Sequence, residues 1–83
     1  MPKIPRNISG KELAKLLGKF GYEVKREKGS HIRLVSNLKG YEHKITLPDH
    51  DPIKIGTLSN ILNDIALYLK MTKEKLIEEL FQK

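Results

Sequence analysis

The chain has 83 residues, a formal net charge of +6 at pH 7 and no cysteine. This length predicts a single small domain over residues 1–83, and the lack of cysteine excludes a disulfide framework and a thiolate metal site. No apolar run is long enough to span a bilayer, and residues 1–6 lack the hydrophobic segment of a signal peptide. We therefore expect no membrane association and a cytoplasmic location.

The positive charge is concentrated in the first part of the chain. Residues 1–36 hold nine lysines or arginines against three acidic residues, whereas residues 37–83 hold seven of each kind. This asymmetry favours a polyanionic partner on one face of the protein. The alternative interpretation is that many small domains are basic for solubility alone.

The first predicted helix begins at a capping box. Ser9 and Glu12 are three residues apart, so each side chain can accept a hydrogen bond from the backbone N–H of the other. Gly21 can take the left-handed conformation that ends a helix. The segment before the helix, residues 1–8, contains two prolines and is predicted as an extended arm. One apolar stripe at helical spacing is formed by Leu13, Leu16, Leu17 and Phe20.

Three strands are predicted next, each with alternating apolar and polar residues. They cover residues 22–27, 31–36 and 42–47. Pro48 ends the third strand, because proline lacks the N–H that a sheet ladder requires. His43 lies among the apolar residues of that strand and is expected to be partly buried.

The turn between the first two strands decides which side chains face solvent. A two-residue loop, residues 29–30, would pair Lys28 with His31 and would place Val24 on the face opposite the apolar residues of the second strand. Pairing Glu27 with His31 instead puts Val24 on their side, so burial favours an odd-length connection. The solvent-facing side of the sheet is then predicted to carry Lys25, His31, Arg33 and Lys44.

Two further helices follow a polar turn at residues 49–52. Thr57 is the predicted N-cap of the first, although Gly56 could shift its start, and apolar residues recur with helical period as far as residue 69. The second covers about residues 72–82, with Thr72 as its N-cap.

This order of elements predicts an α+β fold. Two amphipathic main helices must each bury one stripe, and both can do so on one face of a three-stranded antiparallel sheet. The C-terminal helix is additional to this arrangement. The opposite sheet face stays bare and basic, and it carries His31.

His31 begins the second predicted strand, directly after a Gly-Ser turn. Histidine has an unperturbed pKa of about 6.5, so it can take or give a proton near neutral pH. RNA supplies its own nucleophile, the 2′-hydroxyl, so its cleavage needs a base, an acid and positive charge at the phosphate but no metal. Spacing alone favours an ordinary surface histidine at position 31 over a catalytic one. His50 is either simply solvated or a helper in phosphate contact or proton transfer. Residues 49–51 lack an established metal-ligand spacing.

Five short motifs form a pattern along most of the chain. They are Ser9-Gly10-Lys11-Glu12-Leu13, Leu17-Gly18-Lys19-Phe20-Gly21-Tyr22, Arg26-Glu27-Lys28-Gly29-Ser30-His31, Thr46-Leu47-Pro48-Asp49-His50 and Ile55-Gly56-Thr57-Leu58-Ser59-Asn60-Ile61-Leu62. This pattern resembles HicA-type mRNA interferase toxins, a toxin–antitoxin family with a small fold like that of double-stranded-RNA-binding domains. The Gly-Ser-His segment and the Gly-Thr-Leu helix start are together the specific part. The resemblance covers about residues 9–69 and leaves the C-terminal helix outside it.

The resemblance implies a metal-independent endoribonuclease that cleaves mRNA, with no cofactor. Its catalytic residue would be the histidine of the Gly-Ser-His segment, here His31. It also implies a HicB-type antitoxin that covers the active site. Many relatives carry a second histidine or an aromatic residue directly after the first, but here Ile32 stands at that position and is expected to face the core. The expected RNA-binding residues are Lys25, Lys28, Gly29, Ser30, Arg33, Lys44 and His50.

Two other functions fit the same fold and charge. One is a non-catalytic RNA-binding module that uses the same basic sheet face, which would bind RNA in a salt-dependent way without cleaving it. The other is an interaction protein that binds only another chain and has no affinity for RNA. The oligomeric state of the chain is left open by its sequence.

Overall fold

The computed structural model describes residues 4–81, and this part of the chain forms three helices and a three-stranded antiparallel sheet. The elements are helix α1 (Gly10–Leu17) with a 3₁₀ turn (Gly18–Phe20), strands β1 (Glu23–Lys28), β2 (His31–Ser36) and β3 (His43–Pro48), and helices α2 (Ile55–Leu69) and α3 (Lys73–Phe81). The strand order is β1-β2-β3, which confirms the predicted α+β fold. The start of the predicted arm, residues 1–3, and residue 82 of the predicted tail helix lie outside the described residues.

The helix starts depend on capping in different ways. At α1 the capping box is confirmed, since Glu12 N donates to Ser9 Oγ and Ser9 N donates to Glu12 Oε1, both over 3.1 Å. At α3, Lys75 N donates to the Thr72 hydroxyl over 3.0 Å, as expected for the predicted N-cap.

The predicted N-cap of α2 is wrong. This helix begins at Ile55, three residues earlier than an N-cap at Thr57 would allow, and Lys54 occupies the cap position without a side-chain cap bond. The preceding Ile53 is buried, and its N–H donates to the carbonyl of Ile8 over 2.9 Å. This anchor fixes where the chain turns into the helix, so tertiary packing overrides the local preference for threonine at a helix start.

The predicted odd-length connection between the first two strands is also wrong. Lys28 pairs with His31 across a two-residue turn, yet Val24 still pairs with Leu34, the apolar neighbour predicted for it. A β-bulge at Lys25 reconciles the two, because the extra residue shifts the register between the two halves of β1. The two-residue turn and the pairing of Val24 with Leu34 are therefore both possible, because the bulge interrupts the strict alternation of β1.

One face of the sheet is buried under the helices and the other is open. In β2, Ile32 and Leu34 are buried and contribute to the core, whereas His31 and Arg33 point to the opposite, exposed face. All six residues of β1 are exposed. The helices thus lie on one face of the sheet, as predicted for the two main helices, and β1 is the least buried strand. Within residues 4–81, each helix is too short or too polar to cross a membrane.

His43 lies in an aromatic cluster on the covered face, which confirms its predicted partial burial. Its Nδ1 lies 2.6 Å from the Tyr22 hydroxyl, its Nε2 lies 3.3 Å from Asp64 Oδ1, and its ring stacks on Tyr68 at 4.6 Å. Burial, followed by the charges of Tyr68 and Asp64, raises the pKa of Tyr22 well above its usual value. The Tyr22 hydroxyl therefore keeps its proton and shares a hydrogen bond with Nδ1 of His43.

The hydroxyl of Tyr68 fixes the loop between β2 and β3. It accepts from Lys39 N over 3.0 Å and donates to the carbonyl oxygen of Tyr41 over 2.6 Å. Tyr68→Phe is expected to lower the free energy of unfolding by roughly 1–3 kcal/mol, because both backbone groups lose their partner. Urea unfolding measures the loss. Tyr41→Phe is the matched control: its side chain is 54% exposed, so a change within about 0.5 kcal/mol is expected. Equal losses in the two variants would contradict this role of Tyr68.

Candidate functional site

The first residue of β2 places an imidazole on the open face of the sheet. Gly29 has φ of 60°, a left-handed conformation that glycine adopts without strain, and this lets a two-residue turn deliver the chain directly to His31. His31 is exposed, and the next residue, Ile32, is buried, as the alternation of this strand predicts. The alternation of β2 thus directs the histidine to solvent while its neighbour anchors the strand in the core.

A shallow, cation-lined basin surrounds this histidine. It has a volume of about 570 Å³ and is lined by Arg26, Lys28, His31 and Arg33. Lys28 is the cross-strand neighbour of His31, and Arg26 is the cross-strand neighbour of Arg33. Within residues 4–81, none of the three cations makes an ion pair with an acidic side chain. The basin therefore presents an uncompensated positive field to an anion at the imidazole.

Two of the expected cations lie outside the basin. Lys25 occupies the bulge of β1, and its Nζ lies 2.9 Å from Glu23 Oε1. Lys44 pairs with Val35 of β2, and its Nζ lies 3.5 Å from Glu42 Oε1. The structure thus brings Lys28 and Arg33 to His31. Lys25 and Lys44 instead lie beside acidic residues two positions earlier in the chain.

Sequence reasoning missed Arg26 as a residue of the basin. Strict alternation along β1 assigns Arg26 to the same side as Val24, which would bury a guanidinium under the helices. The bulge at Lys25 returns Arg26 to the open face. An arginine at a position that alternation would bury was the available signal for a bulge in this strand.

The turn before His31 is bonded to the loop after β3, and the same loop is bonded to the start of α1. Asp49 N donates to the carbonyl of Ser30 over 2.7 Å, and Gly10 N donates to the carbonyl of His50 over 3.0 Å. The His50 side chain is exposed on the loop after β3 and does not line the basin. One backbone hydrogen bond therefore ties the histidine-bearing turn to the loop after β3, and a second ties that loop to the start of α1.

The contact between α1 and the end of β3 is too close for any residue but glycine. A Cβ built on Gly10 would overlap the carbonyl oxygen of Pro48 and lie 3.1 Å from the Cα of Asp49. Pro48 is in turn the cross-strand neighbour of His31. The absence of a side chain at Gly10 thus lets the helix start approach the strand that flanks the histidine.

No metal site accompanies the basin in the described part of the chain. Within residues 4–81, no three side chains among His, Asp and Glu lie together in a way that could hold a metal ion. The groups that the basin does offer are one imidazole, one ammonium and two guanidinium groups. These can exchange a proton and bind phosphate oxygens.

The fold and the basin together define a small basic α+β protein with an exposed histidine among cations on its bare sheet face. A family model described as HicA toxin of bacterial toxin-antitoxin matches residues 10–67. The chain belongs to this family of toxins, in agreement with the resemblance of its motifs. No curated protein and no solved structure gave a match.

Proposed function

We propose that this toxin is an mRNA interferase that cleaves RNA through attack of the 2′-hydroxyl on the adjacent phosphorus. The observation that supports the proposal most directly is the position of His31, exposed in a basin with three cations and no competing acidic side chain among its lining residues. A proton-transfer group and phosphate-binding groups are the two components that this reaction needs from a protein.

In the proposed reaction, a base removes the 2′-hydroxyl proton as the oxygen attacks the phosphorus. The bond from phosphorus to the 5′-oxygen then breaks, and an acid gives that oxygen a proton. The products are a 2′,3′-cyclic phosphate and a 5′-hydroxyl. His31 is the proposed base or acid in this step, and no metal enters it because the nucleophile belongs to the RNA.

The cations have a separate proposed role. Lys28 and Arg33 hold the reacting phosphate and stabilise the charge that develops on it, and Arg26 joins them from its place opposite Arg33. Besides the residues that line the basin, the proposed contacts along the RNA are Lys25, Gly29, Ser30, Lys44 and His50.

A toxin of this family implies an antitoxin partner. We propose that the partner is of the HicB type and that it inhibits by covering the basin, which has no lid of its own among residues 4–81. The proposed substrate, mRNA, implies that the toxin acts in the cytoplasm.

The proposed reaction predicts both the conditions and the products of cleavage. Purified protein is expected to cleave single-stranded RNA in the presence of EDTA and to leave 2′,3′-cyclic phosphate and 5′-hydroxyl ends, measured by gel and mass spectrometry. An otherwise identical RNA with 2′-deoxy sugars is expected to stay intact, because it lacks the nucleophile. Cleavage of the deoxy substrate would contradict the proposed chemistry. Salt-dependent RNA binding without cleavage would instead favour the non-catalytic binding module.

A further inference from the structure

A second groove lies on the covered face of the sheet, between α1 and β1. It has a volume of about 410 Å³ and is lined by Ala14, Val24, Ile32, Lys11, Lys15 and Glu27. Ala14 and Ile32 are nearly buried, whereas Val24 is 47% exposed and is the one apolar residue of β1. The groove therefore offers an apolar floor that the helices leave partly uncovered.

The strand beside this groove has a free edge. Within residues 4–81, β1 pairs with β2 on one side and with no strand on the other, and all six of its residues are exposed. Such an edge presents backbone N–H and C=O groups that can pair with an added strand. The bulge at Lys25 twists the first half of β1, so the regular edge is the half from Arg26 to Lys28.

Positive charge lies on both sides of this edge. Lys15 stands on the α1 wall of the groove, while Arg26 and Lys28 stand on the opposite face, and none of them forms an ion pair within residues 4–81. Glu27 is the single acidic residue that lines the groove. A second copy of this chain, with its net charge of +6, is a poor match for this surface, whereas an acidic segment is complementary to it.

We propose that the edge of β1 accepts an extended acidic segment of a protein partner as a fourth strand. Because side chains of a strand alternate between faces, one set would enter the groove and place an apolar residue beside Val24. The other set would carry carboxylates toward Arg26 and Lys28. Lys15 would bind a further carboxylate at the rim of the groove. This interaction does not depend on RNA cleavage by the protein.

The test uses a synthetic peptide in which glutamate alternates with valine. Val24→Lys is expected to weaken its binding about tenfold, measured by fluorescence anisotropy, because the apolar seat is lost. The same change adds a positive charge, so attraction by charge alone predicts the opposite result. Lys15→Glu is expected to weaken binding about fivefold, and Lys39→Glu, on the exposed loop after β2, is the control for an equal change of net charge. Hydrogen exchange is expected to slow at the amides of β1 when the peptide binds.

Several results would overturn the proposal. Peptide binding that is unchanged or tighter in Val24→Lys would show that net charge alone accounts for the interaction. Equal binding of a peptide in which glutamate and valine form separate blocks would show the same. Protection at β3 rather than β1 would place the added strand elsewhere. Binding of a non-cleavable 2′-deoxy strand that is weakened about tenfold by Val24→Lys would assign the groove to nucleic acid. Thermal unfolding of each variant shows that it is folded.

Discussion

His31→Ala is expected to lower RNA cleavage by about 10²- to 10⁴-fold, the usual contribution of a positioned proton-transfer group. The loss should appear in the rate of the chemical step, because the imidazole is the proposed proton-transfer group of the basin. RNA affinity should change little, since Arg26, Lys28 and Arg33 remain to bind phosphate. Expression without a partner should stop growth for the wild type and not for this variant.

Three measurements separate a catalytic role from a structural one. Single-turnover cleavage gives the chemical rate, binding of a 2′-deoxy RNA gives the affinity, and urea unfolding shows whether the fold is intact. His31 is exposed, so the free energy of unfolding should stay within about 0.5 kcal/mol of the wild type. His50→Ala is the matched comparison, because His50 is also exposed but lies outside the basin, and a smaller loss is expected. Equal cleavage by His31→Ala and the wild type would remove His31 from the mechanism.

Gly10→Ala is expected to lower the free energy of unfolding by roughly 1–3 kcal/mol, the usual cost of overfilling a packed site. Helix propensity alone predicts a gain of up to about 1 kcal/mol for the same change, because alanine is the better helix former. The overlap with the carbonyl oxygen of Pro48 decides the sign, since a backbone atom in a sheet cannot move aside as a flexible side chain can. The helix start would shift away from the end of β3 and from the loop that follows it.

Gly56→Ala is the matched control for this prediction. Gly56 lies in the first turn of α2, and a Cβ built there meets no atom within 4 Å. The same substitution should therefore stabilise the protein by up to about 1 kcal/mol, and urea unfolding of the two variants should give changes of opposite sign. A stabilised Gly10→Ala protein would show that the approach of α1 to β3 is not constrained as described.

Periodicity and capping were sufficient to predict the layers of the fold. The stripes of α1 and α2 required one covered sheet face, and the alternation of β2 sent His31 to the other. The start of α2 could not be read from local sequence, because the anchor at Ile53 depends on a hydrogen bond to Ile8, far away in the chain. Long-range contacts of this kind override a local preference worth about 1 kcal/mol.

The sequence was sufficient to predict the histidine of the basin and two of its cations, but not the third cation, Arg26. A histidine at a strand start after Gly-Ser is visible in the sequence, and so are Lys28 and Arg33 beside it. The sequence offers two regular pairings for β1, one that satisfies the two-residue turn and one that pairs Val24 with Leu34. The structure satisfies both with a bulge, which exchanges Lys25 for Arg26 in the basin.

The two sides of the basin are anchored unequally. His31 and Arg33 belong to β2, where alternate residues are fixed in the core, whereas Arg26 and Lys28 belong to β1, whose six residues are all exposed. Local opening costs least where few apolar contacts must break. Warming or mild denaturant should therefore make Arg26 and Lys28 mobile while His31 keeps its position. The affinity of the basin for a phosphate group would then fall before His31 is displaced.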